Sequence, residues 1–292
     1  MSIKYKVNAN TIVRYHQGSK NVSNIQDIEN GELRETAQEK RERNLLQNND
    51  KGYNGVIGKR AKANIRELVQ NWVIAGTSPV IRKHLPNPKK KKFSFVTVTL
   101  PAKQNMTDQE IRRTALNGFI QEMKRKSNLN SYIWVAEKQK NGNIHFHLII
   151  DTYVPAWKLR NMWRKQMYLC GLLSEYTQEG YGAAALCTKI DELKTPQKAA
   201  KYISKYMAKC DTAGINGYPL AGRIWGKSDN IEQYRGITIN NIEAKRLGID
   251  EYLKGLTNYY IVNEYVTVYN YSIDDCEFSP IIDYLIELES RQ

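Results

Sequence analysis

Asn143-Ile144-His145-Phe146-His147-Leu148-Ile149-Ile150 reads as a β-strand, because apolar and β-branched residues surround a polar pair at period two. Residues two apart on a strand point to one face, so His145 and His147 stand side by side. The chain holds only 4 histidines, and two of them sit here among hydrophobic residues. Neutral imidazole is the commonest protein metal ligand. On its own the pair fits two core histidines as well as two ligands, and the neighbouring sequence has to separate these readings.

Upstream, Ser131-Tyr132-Ile133-Trp134-Val135-Ala136-Glu137-Lys138 forms a second strand pattern, and Asn141-Gly142 is a hairpin turn signal between the two. Glu137 is therefore expected beside His145 on the adjacent antiparallel strand. Two imidazoles and a carboxylate suit a divalent cation that polarises a phosphodiester oxygen and orients it for in-line attack. Ligand type alone also admits zinc or iron. A phosphate substrate and a basic surface favour Mg²⁺ or Mn²⁺ as Lewis acid.

Working outward, Phe93-Ser94-Phe95-Val96-Thr97-Val98-Thr99-Leu100 is a β-prone run closed by Pro101. Thr107 and Glu110 have capping-box spacing, and the helix they open carries Ile111, Leu116, Phe119, Ile120 and Met123 on one face, ending near Asn128. Pro155 opens an amphipathic helix, Leu186 to Ile190 suggests another strand, and a further helix runs from about Pro196 to Cys210. The order β-α-β-β-α-β-α predicts an α+β fold with a mainly antiparallel sheet and flanking helices.

The helix from Pro196 repeats a small unit, Tyr-x-x-Lys, in register: Tyr202 with Lys205, then Tyr206 with Lys209. Residues four apart share a helix face, so both phenols project together. A phenol ionises near pH 10 and is a poor nucleophile at neutral pH unless its anion or the transition state is stabilised. A lysine one turn away supplies part of that. Read alone, the segment is an ordinary basic amphipathic helix.

Lys and Arg number 44 against 30 Asp and Glu, giving +14 and an isoelectric point near 9.4, which favours a polyanionic partner, nucleic acid before an anionic membrane surface. Residues 1–100 hold 19 basic against 8 acidic side chains, whereas 251–292 hold 2 against 8. The run Lys89-Lys90-Lys91-Lys92 adjoins the first strand of the candidate site and is expected to touch DNA. Four scattered cysteines, Cys170, Cys187, Cys210 and Cys276, argue for a reducing compartment and against a zinc ribbon or disulfide framework. No signal peptide or membrane span is visible, so a cytoplasmic protein is expected.

Residues 1–57 are polar with thin apolar periodicity. With the helical pattern over 58–76 they make a basic N-terminal extension, placed at 1–90, before a catalytic domain over 91–215 and a C-terminal segment over 216–292. In that last segment Tyr265, Thr267, Tyr269 and Tyr271 are expected to share one face of a strand, and Ser279-Pro280 precedes a short helix.

Taken together, Phe95 to Leu100, His145-Phe146-His147 with Glu137 eight residues upstream, and Tyr202 to Lys209 resemble the ordered motifs of the HUH endonucleases. The two-tyrosine rolling-circle replication initiators of microvirus-like single-stranded DNA phages and related plasmids are the nearest type. Gly222 to Ser228 resembles a segment that follows the tyrosine helix in phage initiators. The resemblance implies a palm-like sheet of the RNA-recognition-motif type, with Glu137, His145 and His147 as metal ligands. It implies Tyr202 and Tyr206 as alternating nucleophiles, and Lys205 and Lys209 as stabilisers of phenolate or phosphate charge. The expected reaction nicks single-stranded origin DNA through a 5′-phosphotyrosine link and later rejoins the ends into a circle. No Gly-x-x-x-x-Gly-Lys-Ser/Thr occurs, Gly222 to Ser228 being one residue short, so a host helicase and polymerase are the expected partners. A transposase or relaxase of the same core is the nearest enzyme rival, although relaxases usually bring a third histidine where Glu137 stands. A non-catalytic nucleic-acid-binding protein of similar sheet fold is the other rival.

Overall fold

The computed structural model describes residues 2–17, 57–85, 91–100, 106–139, 142–173, 187–193, 195, 198–199, 201–203, 205, 220, 222–273 and 280–290. The strands are β1 (Ser2–Val7), β2 (Thr11–Gln17), β3 (Phe93–Val98), β4 (Tyr132–Lys138), β5 (Ile144–Ile150), β6 (Thr188–Leu193), β7 (Trp225–Lys227), β8 (Ile237–Asn240), β9 (Tyr259–Asn263) and β10 (Val266–Asn270). They form two five-stranded antiparallel sheets, so the chain is α+β, as its patterning predicts. Two compact units contain them, one drawn from residues 1–51, 78–88 and 235–292, the other from 52–77 and 89–234.

The second unit carries the sheet β6-β3-β5-β4-β7. Pairing runs Thr97 to His147, Val135 to His147 and Glu137 to His145, so these side chains share one face with Phe93, Phe95 and Trp225. The other face presents Val96, Val98, Ala136, Phe146 and Leu148, all buried. Each such large apolar side chain contributes about 1.5–3 kcal/mol through burial.

A helical rod from Asp108 to Ser127 adjoins that apolar face, tied to β4 by Lys138 Nζ on Asp108 at 2.6 Å. The Thr107–Glu110 capping box forms as the sequence predicts: Thr107 Oγ1 accepts from Glu110 N, and the Glu110 carboxylate accepts from Thr107 N at 2.8 Å. The rod's middle, Arg112–Leu116, is a π-helical turn, and the rod ends on Asn128 in a left-handed conformation (φ 51°). It packs on the Ala156–Leu169 helix through Phe119 and Trp163, edge to face at 5.4 Å. Gly118 admits this approach, because a Cβ there would lie 2.2 Å from Gln166 Oε1.

On the opposite side, the Lys59–Thr77 helix buries Ile65, Leu68, Val69 and Trp72, the residues its spacing marks as core. Trp72 meets Phe93 edge on at 5.0 Å, at the β3 end remote from Thr97.

The first unit carries the sheet β8-β1-β2-β10-β9. Residues 2–17, read from the sequence as part of an extension, are a hairpin closed by Asn8 N donating to Thr11 O at 2.8 Å. Strand pairing thus crosses the boundaries read near 90 and 215: β1 pairs with β8, β2 with β10, and β7 with β4. The reason is physical, since a lone two-stranded hairpin is marginal in water and gains stability only within a larger sheet. Tyr5 is buried and donates to Asp250 Oδ1 at 2.6 Å; burial and that carboxylate push its phenol up to about 12. The tyrosine stripe expected on one strand breaks at Tyr265, which lies in the turn between β9 and β10 with its N donating to Asn263 Oδ1. Tyr269 instead stacks obliquely against Tyr259 across the pair, at 5.5 Å.

Gly226 on β7 lies across from Trp134, and a Cβ there would sit 2.6–2.9 Å from the indole. Gly226→Ala is therefore expected to lower stability by about 1–3 kcal/mol through overpacking, read as a reduced urea midpoint with an unchanged slope.

Candidate metal centre and nucleophile helix

The β4–β5 hairpin builds the polar cluster. Glu137 and His145 are direct cross-strand partners, and His147 follows two residues on along the same face. Gly142, at φ 82°, supplies the left-handed backbone that this tight turn requires. Glu137 Oε1 contacts His145 Nε2 and lies 3.2 Å from His147 Nε2, while the two Nε2 atoms are 3.0 Å apart. All three ligand atoms fall within 4.8 Å of one another.

This donor set fits a divalent cation. Three lone-pair atoms turned on one centre repel unless protons or a cation lie among them, and two imidazoles with a carboxylate match common catalytic metal sites. Side-chain exposure is 12% at His145, 8% at Glu137 and 2% at His147, so the group opens to solvent on the His145 side. Burial on its own would raise the Glu137 carboxyl. The hydrogen bonds and charges of His145 and His147 outweigh it and hold the carboxyl well below the usual range. Glu137 is thus a permanent anion at neutral pH.

The neighbouring strand supplies support that the sequence motifs do not reveal. Thr97 Oγ1 lies 3.0 Å from His147 Nδ1, which leaves Nε2 to face the cluster once Nδ1–H donates to the hydroxyl. Phe95, two residues earlier, stacks on the His147 ring at 5.5 Å and 13°. Its other neighbour is the Tyr202 ring, at 4.7 Å and 21°. One phenyl ring therefore spaces His147 from Tyr202. The described residues between 198 and 205 are helical, which puts the Tyr202 helix on the same face of the sheet as the cluster.

Of the residues singled out from sequence, Glu137, His145, His147 and Tyr202 come together, and Lys205 is exposed on the helix of Tyr202. Tyr206 and Lys209 lie outside the described residues, as do Lys89 and Lys90. Lys91 and Lys92 stand at the start of β3, about 15–20 Å along the strand from Thr97 at ~3.3 Å per residue. There Lys92 Nζ lies over the Tyr153 ring at 5.9 Å, away from the cluster. Thr97 and Phe95 are the residues that motif reading passes over. They are visible only through the β3–β5 register, which joins positions 50 apart in sequence.

Residues 93–211 match the family model of the replication-associated protein ORF2, a family of rolling-circle replication initiators. No curated protein and no solved structure matches the chain significantly. No described helix is long and apolar enough to cross a membrane.

Thr97→Val keeps the side-chain volume but removes the acceptor of His147 Nδ1–H. It is expected to weaken Mn²⁺ binding about 10–100-fold with an unchanged fold, measured by titration calorimetry and circular dichroism. Acid sensitivity offers an independent check. A carboxyl depressed in the folded state stabilises it above the unfolded-state value, roughly pH 4.3, and that contribution disappears as the pH falls through the folded value. In the metal-free protein, Glu137→Gln is therefore expected to be destabilising at pH 7 and to converge on the wild type in acid, by urea denaturation at stepped pH.

Proposed function

We propose that this chain, whose central segment is of the replication-initiator type, nicks single-stranded origin DNA by tyrosine attack and later rejoins the ends. The observation that carries this reading is the juxtaposition of Glu137, His145 and His147 with Tyr202 across the single ring of Phe95. Glu137, His145 and His147 would hold Mg²⁺ or Mn²⁺, which when bound supplies Lewis-acid polarisation of a phosphodiester oxygen.

The remaining work falls to the chain itself. Thr97 keeps the His147 ring in one orientation, and Phe95 fixes the distance between that ring and the phenol. The Tyr202 oxygen bonds to phosphorus as the bond from phosphorus to the 3′-oxygen breaks. The phenolic proton departs, and the leaving 3′-oxygen takes up a proton to become the hydroxyl that primes synthesis. Lys205, one turn along, stabilises the phenolate and the phosphate. Tyr206 and Lys209 repeat the unit one turn further, giving a second nucleophile to cut the regenerated origin. The freed 3′-hydroxyl then attacks the first phosphotyrosine and closes the circle.

The basic surface concentrates the single strand near the site. Since these 292 residues contain no P-loop, strand separation belongs to a host helicase and extension to a host polymerase, in the cytoplasm of a bacterial cell.

End-labelled single-stranded DNA tiled across the replicon that encodes the chain provides the test. With Mn²⁺, the wild type is expected to yield a labelled band of reduced mobility that survives SDS. That band should vanish with EDTA and in the variant carrying Tyr202→Phe and Tyr206→Phe. An adduct retained by the double variant would remove the nucleophile assignment. A shift seen only on native gels and indifferent to EDTA would leave a nucleic-acid-binding protein without this chemistry.

A further inference from the structure

We propose that Arg112, Arg113 and Arg223 form a phosphodiester clamp at the β7 edge of the sheet, separate from the metal cluster, which grips the single strand beside the scissile position. The inference rests on the nicking reading above and adds a second contact to it.

The geometry begins at β7. Trp225 pairs with Val135, and Ala136 N donates to Ile224 O at 2.8 Å, which carries the ladder one residue further. In that register position 223 lies across from Glu137. Arg223 Nε donates to Trp225 O at 2.8 Å, so the guanidinium folds along its own strand. Gly222 then turns the chain at φ 76°, its backbone against Gln109: a Cβ there would meet Gln109 Nε2 at 2.9 Å. Gln109 precedes Arg112 and Arg113 by three and four residues, which is one helical turn on the same face. The π-helical turn that starts at Arg112 lies directly beyond, and such turns are frequent at functional sites.

Three guanidiniums thus converge where the adjacent carboxylates are already committed. Asp108 is held by Lys138 Nζ at 2.6 Å, and Glu110 accepts from Thr107 N at 2.8 Å and Thr107 Oγ1 at 2.7 Å. Arg112 Nε is buried and has no hydrogen-bond partner among the described residues. Burial first, then the charges of Arg113 and Arg223, push the Arg112 guanidinium below its usual value, the mark of crowded like charges. Arg113 and Arg223 are exposed, so an incoming anion reaches the cluster from solvent. Guanidinium forks match pairs of phosphate oxygens, and a single strand passing the Glu137 end of β4 meets these forks next.

The experiment measures binding of a fluorescein-labelled mixed-sequence 20-mer by anisotropy, in EDTA to prevent cleavage, from 50 to 200 mM NaCl. The variant with Arg112→Ala and Arg223→Ala is expected to bind at least 10-fold more weakly at 150 mM. Its plot of log K against log salt should flatten by about 1–2, at roughly 0.7 per lost single-strand phosphate contact. Mn²⁺ affinity should stay at the wild-type value. A second variant, Arg112→Lys with Arg223→Lys, preserves charge and guards against misfolding; it should retain the slope while losing several-fold in affinity. Wild-type affinity and slope in the alanine variant would overturn the clamp. If the wild type itself fails to bind the single strand, the nicking reading fails first, and the clamp with it. Wild-type binding and cleavage with an unaltered slope in the variant would sink the clamp alone.

Discussion

Antiparallel register is the constraint on which the candidate site depends. Glu137 meets His145 only because β4 and β5 pair at that offset, and Thr97 meets His147 only because β3 and β5 pair at theirs. A slip of one residue in either pairing would send the partner to the opposite face. The slip is opposed by packing: the face that would receive the polar residues is lined by Val96, Val98, Ala136, Phe146 and Leu148, all buried. The apolar side of the sheet thus sets the chemistry of its polar side. Burying a carboxylate and an imidazole is costly unless each finds a partner, and here each partners the other.

How far this was legible in the sequence follows from the range of each interaction. Glu137, His145 and His147 lie within one hairpin, so period-two alternation and an Asn-Gly turn suffice to bring them together. The Thr107 cap and the Lys59–Thr77 helix are likewise local patterns and form as read. Thr97 and Phe95 escape such reading because their neighbours are chosen by a pairing across 50 residues, which no short motif encodes. The lysine run misleads for a complementary reason. It adjoins the right strand in sequence, but at the wrong end of it, since a six-residue strand spans about 20 Å. The hairpin at residues 2–17 carries a usable signal, Ile3, Tyr5 and Val7 alternating with Lys4 and Lys6. The polar composition of residues 1–57 as a whole outweighs it.

Phe95 gives the site a particular character. An aromatic ring stacked on both His147 and Tyr202 is a spacer with few internal degrees of freedom. It couples the orientation of a metal ligand to that of a phenol without a hydrogen bond that would have to break during reaction. The polar support lies elsewhere, in the contact from Thr97 to His147. Rigid apolar positioning and polar tuning are thereby assigned to alternate residues of one strand.

The order in which the strands are made has a further consequence. Val7 on β1 pairs with Ile237 on β8, whereas the sheet holding the site is complete once β7 ends at Lys227. At ~5–20 residues per second of synthesis, the β1–β2 hairpin waits roughly 10–45 s for its β8 neighbour. A hairpin alone is marginal, so through that interval the chain's first strands expose unpaired edges while the sheet of β3 to β7 is already able to close. Birth on the ribosome thus favours a nuclease sheet that folds early and a second sheet that closes last, joining the two ends of the chain.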